Sequence, residues 1–346
     1  MYTAEYLKNR IKLVNNYWIA KNPDSGNANW KRGAYMIGNI SAYESTKDAK
    51  YLDYAIKWAD DNDWSFYKEQ NKKATAIHAD AMLCGDSYLK LLNLCPDKGT
   101  DKHIVTQTDA LADNPENDDW WWIDAIYMAF PFLQKMGVKY GNEKYCEKAH
   151  SLFDYARRNR GLYDEKEHLW YRDDRFTPDK ELTSNGKKLF WARGNGWVFA
   201  GLARGLDTMK TDDKYYAKYK QVFCDMAESI RDCVNVDGGF TTSLHDKAEF
   251  PDSETSGTAL FTLGFLIGVR LGLLDESYYQ TGINGFEWLN KKAVNTSGRI
   301  GYVQGVSWGP DMAWGNLSDE ERKMSSGDYA VGTYLLICSE LLKISC

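Results

Sequence analysis

The sequence predicts an all-α protein folded as an (α/α)6 toroid, on three observations. Apolar residues recur at helical spacing in segment after segment, as in Tyr51, Tyr54, Ala55 and Trp58. The two-residue alternation that is typical of half-buried strands is nearly absent. About eleven or twelve helices can be counted, and short turns alternate with long connections between them. Such alternation predicts helical hairpins that close into a ring.

Each short turn begins an amphipathic helix with a polar junction of one type. The junctions lie at 47–51, 141–145, 212–215 and 275–278, and each supplies residues suited to helix N-caps. Gly137 and Gly272 are predicted as C-caps of the helices that precede two of these turns.

The long connections are predicted at 95–118, 160–189, 235–256 and 295–326, and they are rich in Gly, Asp and aromatic residues. Loops on a rigid scaffold carry function more often than tight turns do, so we expect the site on their face of the toroid. No Pro- or Ser-rich linker divides the chain, and residues 1–346 are predicted to form one catalytic domain.

Composition excludes several classes of protein. The net charge of -6 comes from 49 acidic and 43 basic residues that are mixed along the chain, without a basic stripe for phosphates. Nucleic acid is therefore not an expected partner. The 13 Trp and 23 Tyr exceed what a core of this size needs. Sugar-binding clefts use such rings for stacking, although most of these rings are expected in the core.

The seven cysteines are odd in number and scattered, which predicts reduced thiols and a cytoplasmic location. Secretion or a periplasmic location stays open, because a chain without its leader would look the same. Neither C-x-x-C nor H-E-x-x-H occurs, so no metal and no cofactor is expected. No apolar run reaches the ~18 residues of a membrane span, so no membrane partner is expected either.

The most unusual segment runs from Phe190 to Trp197 and places Trp191, Arg193, Asn195 and Trp197 among glycines, just before a predicted helix that ends near Asp207. An arginine fork suits a carboxylate, and indole faces can stack on a sugar. The alternative interpretation is a Trp-rich helix junction around a buried arginine.

A second segment carries an acid in an apolar environment. Asp124 follows Trp120, Trp121 and Trp122 and lies about one turn into an apolar run. Burial beside indole rings raises the pKa of a carboxylic acid, so Asp124 could hold a proton near neutral pH and donate it. It could instead be a buried cap or the partner of an arginine such as Arg193.

Three further segments are weaker candidates. His78 and Asp80 open an otherwise apolar helix, where Asp80 is either a second site carboxylate or an ordinary first-turn acid. The hydroxyls of 254–259 either cap a helix or bind substrate. Gln304 and Trp308 lie in the last long loop and could line a cleft.

Taken together, the segments resemble a known family, the unsaturated rhamnogalacturonyl hydrolases of glycoside hydrolase family 105, relatives of the family 88 unsaturated glucuronyl hydrolases. The W-A-R-G-N-G-W string at 191–197 carries the resemblance most specifically. It is supported, in chain order, by Trp30 and the helix that contains Tyr35, and by the motifs at 79–89, 122–129, 254–259 and 301–304.

The resemblance implies an (α/α)6 barrel whose pocket takes a 4,5-unsaturated uronic acid from the non-reducing end of a lyase product. Asp124 matches the general acid/base of the family, and Asp80 matches its second pocket acid. The remaining residues implied for substrate binding are Trp30, Tyr35, His78, Trp122, Arg172, Trp191, Arg193, Asn195, Trp197 and Gln304. A pectin or rhamnogalacturonan fragment is the expected substrate, and fragments of ulvan, arabinogalactan and glycosaminoglycans stay open.

Two departures from the family pattern bear on the leaving group. Ala81 follows Asp80 where many relatives have a second acid, and His168 or Arg172 stands where relatives often supply a histidine. Two other functions stay open from the sequence. One is a conventional inverting glycosidase that uses Asp80 and Asp124 as acid and base, and the other is a carbohydrate-binding toroid without catalysis.

Overall fold

The computed structural model describes residues 2–67, 78–306 and 317–344. In these ranges the long helices alternate along the chain between an outer and an inner layer. The outer helices are α1 (Ala4–Lys21), α3 (Ala49–Asp61), α5 (Lys102–Asp113), α7 (Glu143–Asp154), α9 (Tyr216–Asp232) and α11 (Ser277–Trp288). The inner helices are α2 (Trp30–Thr46), α4 (Ala79–Leu94), α6 (Asp124–Tyr140), α8 (Ala192–Leu206), α10 (Thr255–Arg270) and α13 (Asp328–Ile344). The short helix α12 (Asp319–Met324) precedes α13.

The inner helices form a closed ring. Each one packs against the next in chain order, and α13 packs back against α2. At this last contact Gly38 and Gly332 let the two backbones approach so closely that a Cβ on either residue would collide with the other helix. All 15 residues of α8 are buried, as expected for a helix that is surrounded on every side. The predicted (α/α)6 toroid is confirmed.

The two faces of the ring differ in their connections. Each of the inner helices from α2 to α10 is followed by a short turn, at 47–48, 95–101, 141–142, 207–215 and 271–276. The other connections, most of which are longer, lead into the N-termini of the inner helices, so all six N-termini share the opposite face. The partial positive charge of a helix N-terminus then favours anions at the centre of that face.

Two small hairpins stiffen the long connections. Strand β1 (Tyr163–Asp164) pairs antiparallel with β2 (Leu169–Trp170) ahead of α8, and β3 (Phe240–Thr241) pairs antiparallel with β4 (Ser253–Glu254) ahead of α10. Both hairpins therefore lie on the face that carries the N-termini of the inner helices.

Two local predictions were wrong. The connection predicted at 95–118 contains α5, whose buried Ile104, Thr108 and Leu111 have helical spacing. Gly137 is not a C-cap, because α6 continues to Tyr140 and Gly141 takes the left-handed conformation with φ 61°. Gly272 does follow the end of α10 with φ 66°, as predicted.

The polar junctions bond to helix N-termini in two ways. Asp48 and Asn142 are true N-caps, and their side chains accept from the backbone N–H groups of Lys50 and Lys144. At the starts of α9 and α11, Asp213 and Asp275 each accept from the N–H two residues further on, at 2.8 Å. In the described part of the chain, no helix is long and apolar enough to cross a membrane.

Candidate active site

Most of the predicted site residues lie within or just before the first turn of an inner helix. Trp30 begins α2, His78 and Asp80 open α4, Asp124 begins α6, and Trp191 immediately precedes α8. Because these N-termini share one face, residues that are far apart in sequence meet around the axis of the ring. Trp308 lies outside the described residues.

His78 and Trp122 join the starts of α4 and α6. Their rings stack with centroids 4.5 Å apart and planes 24° apart. Burial lowers the pKa of His78, which keeps the imidazole neutral, and its Nδ1 accepts from the backbone N–H of Asp80 at 3.3 Å. Asp80 and Asp124 each follow one ring of this stack by two residues, so the stack brings the two acids together.

Both acids have a raised pKa. Burial raises the pKa of Asp124 to about 6, although the charges of Arg172 and Arg193 lower it. Burial and the charge of Asp124 raise the pKa of Asp80 to about 8, again against Arg172. Oδ1 of Asp124 is buried and has no hydrogen-bond partner among the described residues. The two carboxyl groups together therefore keep a proton near neutral pH.

Arg172 is the cation that acts on both acids. Its carbonyl accepts from the N–H of Ile123 at 3.0 Å, which places it beside the start of α6. Its guanidinium pairs with the fully buried Asp173, which Arg175 also holds, with Nε at 2.8 Å. His168 lies instead in the turn between β1 and β2, with Nδ1 3.1 Å from the hydroxyl of Tyr163.

Arg193 anchors a loop in this structure. The W-A-R-G-N-G-W string forms the first turns of α8 and its N-cap, not a segment before the helix. Arg193 Nη1 donates to the carbonyl of Gln304 at 2.7 Å, and Nη2 donates to that of Gly305 at 2.9 Å. Trp191 Nε1 donates to Oε1 of Gln304 at 2.9 Å. The buried-arginine interpretation thus describes Arg193 better than the predicted carboxylate fork does.

Asn195 and Tyr35 are not brought to the pocket surface. The amide of Asn195 is fully buried, accepting from the N–H of Trp170 at 2.8 Å and donating to its carbonyl at 2.9 Å. Tyr35 is fully buried against Trp18, and its hydroxyl donates to Asn15 at 2.6 Å. Both side chains stabilise the scaffold because all their polar groups face protein.

The aromatic floor of the site is layered. Trp197 is fully buried and contacts the edge of the partly exposed Trp30, with ring centroids 6.3 Å apart. Tyr329 lies 5.4 Å from Trp30, and its hydroxyl donates to the carbonyl of Gln304 at 2.6 Å. Sequence reasoning missed Tyr329. Its place in the first turn of an inner helix, shared with the other site residues, is the signal that could have identified it.

The 254–259 segment caps α10. The buried carboxylate of Glu254 accepts from the N–H of Ser256 at 2.7 Å and from that of Gly257. The hydroxyls of Thr255, Ser256 and Thr258 donate to oxygens of the protein. Capping is therefore the role of this segment, and the cap is the glutamate.

An (α/α)6 ring whose two buried carboxyl groups together keep a proton among aromatic rings fits a glycoside hydrolase. The model of Glycosyl Hydrolase Family 88 matches residues 4–345. The chain belongs to this family.

Individual relatives agree with that assignment. The chain is 31% identical over 334 residues to the unsaturated 3S-rhamnoglycuronyl hydrolase of Formosa agariphila, a match that covers 91% of this chain and 84% of the relative. A solved family 88 glycosyl hydrolase from Bacteroides vulgatus is 32% identical with a TM-score of 0.91, and 99% of each chain is covered. A solved structure described as a polysaccharide lyase is 34% identical with a TM-score of 0.91, over 99% of this chain and 98% of that one.

Proposed function

We propose that this enzyme removes a 4,5-unsaturated uronic acid from the non-reducing end of an oligosaccharide, with Asp124 as the proton donor. The observation that carries the proposal is the buried Oδ1 of Asp124, which has no hydrogen-bond partner in the part of the chain that the structure describes, on an acid whose burial raises its pKa to about 6. A carboxyl group in this state can hold a proton and deliver it to a substrate.

The proposed reaction needs a single acid that acts twice. Asp124 gives its proton to C4 of the enol ether. Water then attacks C5, where positive charge develops. The carboxylate of Asp124 recovers a proton from that water, so C5 gains a hydroxyl group. The resulting hemiketal opens and releases the rest of the saccharide. No second nucleophilic carboxylate is required, unlike in a retaining glycosidase.

Neighbouring groups support this assignment of roles. Because the pKa of Asp80 is raised to about 8, its carboxyl group stays protonated at neutral pH and can donate a hydrogen bond to a substrate oxygen. The uronate carboxylate is attracted by the six converging helix N-termini and by the charge of Arg172. Trp30 offers a partly exposed ring for sugar stacking.

We further propose that the substrate is an unsaturated uronic acid linked to rhamnose, such as a pectin or rhamnogalacturonan fragment. The Formosa relative is an unsaturated 3S-rhamnoglycuronyl hydrolase, and this name supports rhamnose in the leaving group. We also propose that residues 1–346 act as one catalytic unit, since the ring draws on helices from Trp30 to Ile344. The free thiols of Cys84, Cys233 and Cys338 fit a reducing, cytoplasmic compartment.

The test follows the ultraviolet absorbance of the enol ether in unsaturated rhamnose-linked and hexosamine-linked disaccharides. Hydration destroys the conjugated bond, so the proposal predicts a fall in absorbance that matches the release of reducing sugar. A faster fall in absorbance with the rhamnose-linked substrate supports rhamnose as the sugar of the leaving group. A rise in absorbance on an intact polysaccharide would indicate elimination by a lyase instead, and cleavage of saturated glycosides alone would indicate a conventional glycosidase.

A further inference from the structure

A second cleft, of about 620 Å³, opens on the same face as the N-termini of the inner helices. Its walls come from the loop ahead of α10, the end of α11, and the segment that leads through α12 towards α13. The volume lies within the ~300–1,000 Å³ range of small-molecule sites. None of the residues assigned above to the candidate active site lines it.

This cleft lies beside the loop that Trp191 and Arg193 hold next to the candidate active site. Tyr302 faces the cleft, whereas Gln304, two residues later, is held by Trp191 and Arg193. The backbone of Tyr302 takes the left-handed conformation with φ 53°, which is uncommon for an aromatic residue. Hydrogen bonds hold it there, from its N–H to the carbonyl of Arg322 at 2.8 Å and from the N–H of Thr255 to its carbonyl at 2.9 Å. The backbone of Tyr302 is thus held in place at the wall of the cleft.

The acids of the cleft are already engaged. Asp252 pairs with Arg322, and Asp319 pairs with Lys323 at 2.9 Å. Asp237 accepts from the indole N–H of Trp288 at 3.0 Å.

Two ammonium groups of the cleft have no carboxylate partner within the described ranges. Lys247 Nζ donates only to the carbonyl of Val234, at 3.1 Å, and the exposed Lys292 makes no ion pair there. The cleft consequently offers two cations and the phenol ring of Tyr302 to a ligand. That combination suits a saccharide that carries an acidic substituent.

We infer that this cleft binds the downstream part of the oligosaccharide, the part released on hydrolysis, when it carries a carboxylate or a sulfate ester. Tyr302 packs against a sugar face, and Lys247 and Lys292 contact the anionic substituent. The inference deepens the proposed function and rests on it. It predicts that longer acidic substrates are turned over more efficiently than disaccharides are.

The first experiment compares kcat/KM for an unsaturated disaccharide and for an unsaturated tetrasaccharide. The tetrasaccharide carries acidic substituents on the two sugars that the disaccharide lacks. Exposed ion pairs contribute ~0.2–1 kcal/mol, so Lys292→Gln and Lys247→Gln should each lower kcat/KM on the tetrasaccharide by up to about fivefold. Their effect on the disaccharide should be absent. Added salt should remove the advantage of the longer substrate.

Lys291→Gln is the matched control, because Lys291 is the chain neighbour of Lys292 but pairs with Glu287 at 3.1 Å and does not line the cleft. It should leave both substrates unchanged. Equal effects of Lys292→Gln on both substrates, or none on either, would overturn the inference.

A binding measurement separates this inference from the proposed function. Calorimetric titration of the wild type with the saturated, acidic downstream trisaccharide needs no enol ether. Binding that weakens in the Lys247→Gln, Lys292→Gln double variant supports the cleft even if no substrate is turned over. Absence of binding to the wild type contradicts it.

Discussion

The imidazole of His78 stacks on the indole of Trp122 with ring centroids 4.5 Å apart. This contact joins two inner helices whose starts are 45 residues apart in the chain, α4 at Ala79 and α6 at Asp124. Each ring precedes a site acid by two residues, so the stack sets the separation of Asp80 and Asp124. The charge of Asp124 then contributes to the raised pKa of Asp80. The chemistry of the site thus depends on a contact between side chains that need not touch the substrate.

Arg172→Met tests whether Arg172 sets the pKa of the proton donor, Asp124. The charge of Arg172 lowers the pKa of Asp124, so its removal should raise that pKa above about 6. If protonated Asp124 is the active form, kcat/KM falls as pH rises through that pKa. The alkaline limb of the pH profile should therefore move to higher pH in the variant, which a pH series of kcat/KM measures.

Arg175→Met is the control for this shift. Arg175 also holds Asp173, but its charge is not among the main causes of the pKa shift of either site acid. Its pH profile should match the wild type. If the alkaline limb stays in place in Arg172→Met and only KM rises, Arg172 binds substrate and does not set the pKa of Asp124.

Arg193→Lys tests the loop-anchoring role. Lysine cannot donate to the carbonyls of Gln304 and Gly305 with the same fork, so the charged hydrogen bonds that anchor the loop are weakened, and the Gln304 carbonyl keeps only the hydroxyl of Tyr329 as a donor. We expect a loss of about 1–3 kcal/mol in the free energy of unfolding, measured with urea. Arg158→Lys, at an exposed position, should change it by less than about 0.5 kcal/mol. Unchanged stability with a raised KM would restore the carboxylate-binding interpretation.

Asp86→Asn tests a buried charge cluster on the other face of the ring. Asp86 is 2% exposed and pairs with Lys135 of α6 and Arg204 of α8. Removing one partner of a buried pair costs about 3–5 kcal/mol, so urea unfolding at neutral pH should show a loss of that size. Asp113→Asn breaks an exposed pair with Lys144 and should cost less than about 1 kcal/mol.

The same variant has a defined pH dependence. Burial would raise the pKa of Asp86, but Lys135 and Arg204 outweigh it and lower the pKa to about 2. A lowered pKa stabilises the fold above the unfolded pKa near 4, and this contribution is lost as pH falls towards 2. The stability difference between wild type and Asp86→Asn should thus shrink by about 2 kcal/mol over that range. A difference that does not change with pH would contradict the assigned charge state.

The ring could be predicted because its signals are local. The buried stripe of α3, with Tyr51, Ala55 and Trp58, has the period of one helix face, and Asp48 stands at its N-cap. Helix α5 was missed because its stripe is short and partly polar, with Thr108 between Ile104 and Leu111.

The candidate site could be predicted only in part. Asp124 and Asp80 carried motif and composition signals, and the structure places both in the first turns of inner helices. The hydrogen bond from Arg193 to the carbonyl of Gln304 could not be predicted, because the two residues are 111 positions apart and every residue has a backbone carbonyl, whatever its side chain. The same reason hid the burial of Asn195 against Trp170.

The most direct test of the account compares wild type and Asp124→Asn on an unsaturated rhamnose-linked disaccharide, by the loss of enol-ether absorbance. A positioned general acid contributes ~10²–10⁴-fold, so the variant should be at least a hundredfold slower. Its circular dichroism and urea unfolding curve show whether it is folded. Near-normal turnover by a folded Asp124→Asn enzyme would contradict the assignment of Asp124 as the proton donor.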